Sequence, residues 1–138
     1  MIHSRHVFIG LFFLFIFNPI LAAPKISVTE PRQYGYVLGD IFQRLLIVKN
    51  EKKITIPLNK KKLLGRINNW FAIRDIQTKK NSNNDFTVLI EYQIINVPNK
   101  PLMVVVPNFE INIVEDTKKS QIIVPELLVT LAPITPAI

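Results

Sequence analysis

From Lys25 onward the chain is a succession of short runs in which apolar and polar positions alternate. The clearest is Phe86 to Asn96, where Phe86, Val88, Ile90, Tyr92 and Ile94 recur at every second position. Side chains of an extended strand point alternately to opposite faces, so this spacing predicts a strand with one buried face. Its length predicts a central one. Ile26-Ser27-Val28-Thr29 alternates more briefly before Pro31. Ile41 to Val48 puts Phe42, Leu46 and Val48 on one face, with Arg44 interrupting them. That interruption predicts either a bulge or burial on both faces. Ile54-Thr55-Ile56 is short and ends at Pro57, which suits an edge strand because proline has no N–H for the ladder. Trp70 to Gln77, Leu102 to Val106, Phe109 to Val114, Gln121 to Val124 and Leu127 to Leu131 complete the set of strand-like runs.

Turn residues fall between these runs. Asn81-Ser82-Asn83-Asn84-Asp85 separates two strand-like segments and predicts a hairpin. Pro31, Pro57, Pro98, Pro101, Pro107, Pro125, Pro133 and Pro136 fall at strand ends, where a missing N–H costs little. Gly35 and Gly39 bracket Tyr36-Val37-Leu38 and predict backbone of positive φ or a bulge. Only Leu58 to Asn69 has room for a short helix, and Gly65 limits it. Strands and turns at roughly 8–12-residue spacing predict an all-β fold: a single immunoglobulin-like β-sandwich of about 7–8 antiparallel strands.

The N-terminus breaks this pattern. Arg5 is followed by an unbroken apolar run from Val7 to Phe17, then Asn18-Pro19 and the small residues of Ile20-Leu21-Ala22-Ala23. Charged, apolar and small-residue regions in that order predict a secretory signal helix. Cleavage is expected after Ala22, dividing the chain into a signal peptide over 1–22 and a β-sandwich domain over 23–138. An uncleaved anchor is the alternative, but an 11-residue run is short against the ~20 residues that a membrane span needs. Export places the mature domain in the periplasm, with membrane association only if the leader is kept.

Composition narrows the chemistry. The chain carries 17 Lys plus Arg against 10 Asp plus Glu, a formal charge of +7 that becomes +6 without Arg5. Export argues against nucleic acid as the reason. Lys52-Lys53, Lys60-Lys61-Lys62, Lys79-Lys80 and Lys118-Lys119 read as solvated loop tips, and a use for the charge would lie with an acidic partner or an anionic membrane surface. There is no Cys, so neither a disulfide nor a lipid anchor on cysteine is available. Both histidines, His3 and His6, lie in the leader. Catalytic triads and the common zinc, copper and haem sites draw on those two residue types. No catalytic residue, metal ligand or cofactor is therefore expected, and the chain is read as non-enzymatic. Calcium needs only oxygen ligands, but Glu115-Asp116, and Asp40 with Glu30, fall short of a calcium loop. Ser27, Ser82 and Ser120 have no spacing to a base. Among the aromatics, Tyr34, Tyr36, Trp70 and Phe71 flank loops; Trp70 is either a core residue or an exposed interface anchor.

Several segments together resemble a known family. Glu30-Pro31-Arg32-Gln33-Tyr34-Gly35-Tyr36-Val37-Leu38-Gly39-Asp40 is similar to the opening motif of MxaA-like periplasmic proteins. Glu91-Tyr92-Gln93-Ile94-Ile95-Asn96-Val97-Pro98 looks like their central strand. Gly65-Arg66-Ile67-Asn68-Asn69-Trp70-Phe71 fits their Gly-Arg turn before an aromatic strand, and Ala132-Pro133-Ile134-Thr135-Pro136 resembles their closing segment. The match covers the N-terminal domain of that family, whose longer members continue into a membrane-proximal part. It implies an accessory protein that binds a client, a periplasmic quinoprotein (methanol) dehydrogenase, and assists its maturation or calcium loading. Arg32, Tyr34, Tyr36, Asp40, Trp70 and Tyr92 are the candidate partner-binding or motif residues. A structural or adhesive subunit, assembling by strand addition at the edge near Ile54, is the alternative.

Overall fold

A computed structural model describes residues 24–133. The expected signal helix and most of the closing Pro-Ile-Thr segment lie outside the described residues. In chain order the elements are β1 (Lys25–Thr29), β2 (Ile41–Lys49), β3 (Ile54–Thr55), α1 (Lys60–Leu63), β4 (Gly65–Arg66) and β5 (Phe71–Lys80). They continue with β6 (Phe86–Ile94), β7 (Leu102–Val106), β8 (Phe109–Glu115), β9 (Lys118–Val124) and β10 (Leu127–Leu131). The all-β expectation holds: every strand pairing is antiparallel. Three sheets form, ordered β1-β2-β6-β5-β4, β10-β7 and β3-β8-β9.

The period-2 segment Phe86 to Ile94 does occupy the middle of the five-stranded sheet, with its even-numbered residues buried. β2 presents Phe42, Leu46 and Val48 inward, opposite Tyr92, Val88 and Phe86 of β6. The other two sheets add Ile54, Ile111, Ile113, Ile122 and Val124, and Val104, Val106, Leu127, Val129 and Leu131. All belong to one core. A fully buried aliphatic side chain is worth about 1.5–3 kcal/mol, and this shared core is the cohesion available to a chain without cysteines.

Several expectations need correction. β2 has no bulge and is not buried on both faces; it runs in continuous register with β6 from Ile41 to Val48. Arg44 stays on the apolar face and is buried there. The bulge lies instead in β5, where the register shifts between Ile73 and Asp75 and leaves Arg74 as the extra residue. Extra twist at that point lets Ile73 and Ile76, three apart, both face the core. The lysine clusters are not all loop tips. Lys60, Lys61 and Lys62 form the exposed turn of α1, Lys79-Lys80 ends β5, and Lys118-Lys119 begins β9. The edge strand before Pro57 is as expected, although it pairs over only two residues, Ile54 with Glu115 and Thr55 with Val114.

Candidate functional site

Residues 30–40, between β1 and β2, carry most of the candidate side chains. Two positions in this segment have backbone that only glycine adopts freely, Gly35 at φ 82° and Gly39 at φ 89°. Between them the chain folds tightly. Asp40 accepts the Val37 N–H on Oδ2 at 2.8 Å and donates its own N–H to the Val37 carbonyl at 3.0 Å. The Gly39 N–H reaches the Ile94 carbonyl, and the Ile94 N–H reaches the Asp40 carbonyl, both at 2.9 Å. These bonds prolong the β2–β6 ladder into the loop. The opposite end is held by the Thr130 N–H, which donates to the Gln33 carbonyl at 2.8 Å, and by a parallel bridge between Tyr36 and Leu131. The segment is therefore tied to two sheets.

Arg32 and Tyr36 brace it from within. The Tyr36 hydroxyl donates to the Arg32 carbonyl at 2.6 Å, and the Arg32 guanidinium sits 4.8 Å from the centre of the Tyr36 ring. A cation over a ring face is worth about 0.5–1 kcal/mol at an exposed site. Tyr36 is buried and tilts against Phe42, with ring centres 5.3 Å apart; Phe42 stacks on Tyr92 at 5.0 Å and meets Phe71 edge-on at 5.8 Å. Burial holds the Tyr36 phenol above its ordinary pKa of 10.0, with the Arg32 charge working against that rise.

The structure thus separates the candidates. Tyr36 and Tyr92 are core aromatics, and Asp40 is a half-buried turn residue. Arg32 is exposed but committed to the Tyr36 brace. Trp70 is half-buried, packed on the edge of the core outside the aromatic stack, and its N–H is accepted by Asn68 Oδ1. Tyr34 is different: 72% of its surface is exposed, and Val37, Leu38 and Ile41 nearby are also exposed. An aromatic held out by a braced loop is suited to filling a pocket on another protein.

Three carboxylates lie apart from one another and are engaged. Glu30 receives Arg44 Nε at 2.8 Å and Nη2 at 2.6 Å, a bidentate pair. Asp75 is held below the usual carboxylate range by hydrogen bonds from Gln77 and Lys60. Glu115 lies 3.8 Å from Lys52. Among the described residues no three His, Cys, Asp or Glu side chains gather where an ion could be held, so this donor set does not fit calcium. The role of Arg44 was not legible in its strand, although a charge inside an alternating apolar face was the signal that something unusual lies there. The partner of Arg44, 14 residues upstream, becomes visible only when β1 and β2 are seen to be neighbours. No family model, curated protein or solved structure matches the chain.

Proposed function

We propose that the chain is a non-enzymatic accessory protein, exported to the periplasm, whose immunoglobulin-like sandwich binds a client protein through the loop carrying Tyr34. The observation that carries this proposal is the contrast within that loop. Arg32, Tyr36 and Asp40 are spent on rigidity, while Tyr34 projects into solvent. Ordering a side chain on binding costs about 0.5–1.5 kcal/mol, and a braced loop has little further ordering to undergo. The resemblance to MxaA-like proteins supplies the kind of client, a quinoprotein (methanol) dehydrogenase undergoing maturation. Any part in calcium loading would be played by holding that client, since the carboxylates here do not converge. Self-assembly at β3 is the weaker reading, because β3 offers two residues before Pro57 blunts the edge.

The test is affinity capture from a periplasmic extract containing such a dehydrogenase, with the wild-type chain and Tyr34→Ala side by side. The wild type is expected to retain the client at physiological salt. Tyr34→Ala should weaken retention by about 2 kcal/mol, the range of an aromatic hot spot. Equal capture by the two proteins, or capture of nothing by a monodisperse wild type, would refute the proposal.

A further inference from the structure

β8 is fully paired on one side and mostly unpaired on the other. β9 accompanies it along its whole length, from Phe109 opposite Val124 to Glu115 opposite Lys118. The two strands are joined by Asp116-Thr117, with Asp116 at φ 53°. In a two-residue hairpin the residues flanking the turn exchange both main-chain hydrogen bonds. Alternation along an antiparallel ladder then turns Phe109, Ile111 and Ile113 toward β9, and Glu110, Asn112 and Val114 toward the opposite edge. On that edge β3 reaches Val114 and stops. The next residue to face Asn112 would be Pro57, which has no N–H, and the chain turns away into α1. Among the described residues, no backbone hydrogen bond serves Glu110 or Asn112 on this side.

The departing chain leaves a groove rather than a flat edge. A hollow of about 470 Å³ lies between Pro57–Leu63 and β8, with Leu58 and Leu63 on one wall and Phe109 on the other. All three are only half-buried. From Phe109 to Asn112 the edge runs four residues, about 14 Å at the ~3.4 Å rise of an antiparallel strand. Charge around the two adjoining hollows leans positive. Lys62 lines the first, Lys119 lines the second, and Glu110 is the one acidic residue on either wall. Lys61 is exposed beside them, whereas Lys60 is already paired with Asp75 at 3.1 Å.

We infer that this groove takes an extended acidic segment of a partner protein, which adds to β8 as an antiparallel strand. Main-chain bonds from Glu110 and Asn112 would hold the segment's backbone. Leu58, Leu63 and Phe109 would receive an apolar side chain, and Lys62 and Lys119 would select carboxylates. The surface is separate from the Tyr34 loop, so it stands or falls independently of the client-binding proposal.

The probe is a capped octapeptide of alternating Glu and Val, added to isotopically labelled full chain purified after expression with its own leader. A Lys-Val octapeptide of the same length is the control. The acidic peptide should shift and protect the amides of Glu110 and Asn112, and should bind more weakly as salt is raised. The basic peptide should bind at least about tenfold more weakly, and Lys62→Glu should narrow or reverse that preference. Methylating alternate backbone nitrogens of the acidic peptide should abolish binding, which tests strand addition without altering the protein. Three results would overturn the inference: no change at Glu110 and Asn112 with millimolar peptide, equal binding of the two peptides, or concentration-dependent protection of those amides without peptide. The last would make a second copy of the chain the occupant.

Discussion

Arg44 has a guanidinium removed from water, while Glu30, its bidentate partner, keeps about a third of its side chain exposed, at 32%. Arg44 Nη1 and the Tyr92 hydroxyl nearby are both buried without a hydrogen-bond partner among the described residues. Burial is the largest influence and opposes the Arg44 charge, but Glu30 and the neighbouring Tyr92 hydroxyl together outweigh it and keep the group more basic than usual. The two partners should therefore respond unequally to mutation. Glu30→Ala strands a buried cation and should cost about 3–5 kcal/mol. Arg44→Met fills the same space without charge and leaves Glu30 free to hydrate, so its cost should stay below about 1 kcal/mol or become a gain. Urea unfolding of both variants decides the matter. A costly Arg44→Met beside a harmless Glu30→Ala would mean that packing by the long side chain, not the ion pair, justifies the arginine.

At the scale of elements, Asn68 joins two sheets with one side chain. Its Oδ1 accepts the N–H groups of Trp70 and Phe71 at 2.9 and 3.0 Å, fixing the turn into β5. Its Nδ2 donates to the Val105 carbonyl of β7 at 2.9 Å. Net contributions are about 1 kcal/mol per hydrogen bond, so Asn68→Ala should cost about 2–3 kcal/mol. Asn68→Asp keeps the acceptor and loses the donor, and should fall between. Hydrogen exchange should show faster opening at the Trp70 and Phe71 amides in Asn68→Ala but not in Asn68→Asp. Equal exchange in the two variants would refute this division of labour. Strand identities here were largely legible, because period 2 over Phe86 to Ile94 and Pro57 after a short run are local signals. The β5 bulge and the Asn68 tie were not. Each depends on which strand lies alongside.

For the whole molecule, the buried phenols make stability sensitive to alkali. Burial raises the pKa of Tyr36 and of Tyr92 above the ordinary 10.0, with the charges of Arg32 and Arg44 respectively acting against the rise. Well below pH 10 both phenols are neutral, folded or unfolded, and contribute no pH dependence. Above it the unfolded chain releases these protons first and the folded chain binds more, so stability falls as pH rises through the folded values. Tyrosinate absorbance followed alongside far-ultraviolet circular dichroism should show ionisation of the two buried tyrosines together with loss of strand signal. Tyr92→Phe should move that transition to higher pH. Titration of all three tyrosines with a common midpoint near pH 10 and the fold intact would contradict the burial argument.

Alternation of apolar and polar positions determined the all-β class, the central strand, the Asn81–Asp85 turn and the short edge at Ile54, because each follows from neighbours in the chain. Composition alone set the absence of Cys throughout and placed both histidines before residue 7. The tertiary structure decided which residues of a motif are hidden and which are presented. Tyr34 and Tyr36 are two residues apart in one recognisable segment, yet Leu131, Phe42 and the Arg32 carbonyl claim one ring while the other meets water. It also decided that, among the described residues, part of one edge of β8 is left unpaired. That follows from strand order and from where β3 ends, both set by long-range pairing that local sequence does not encode.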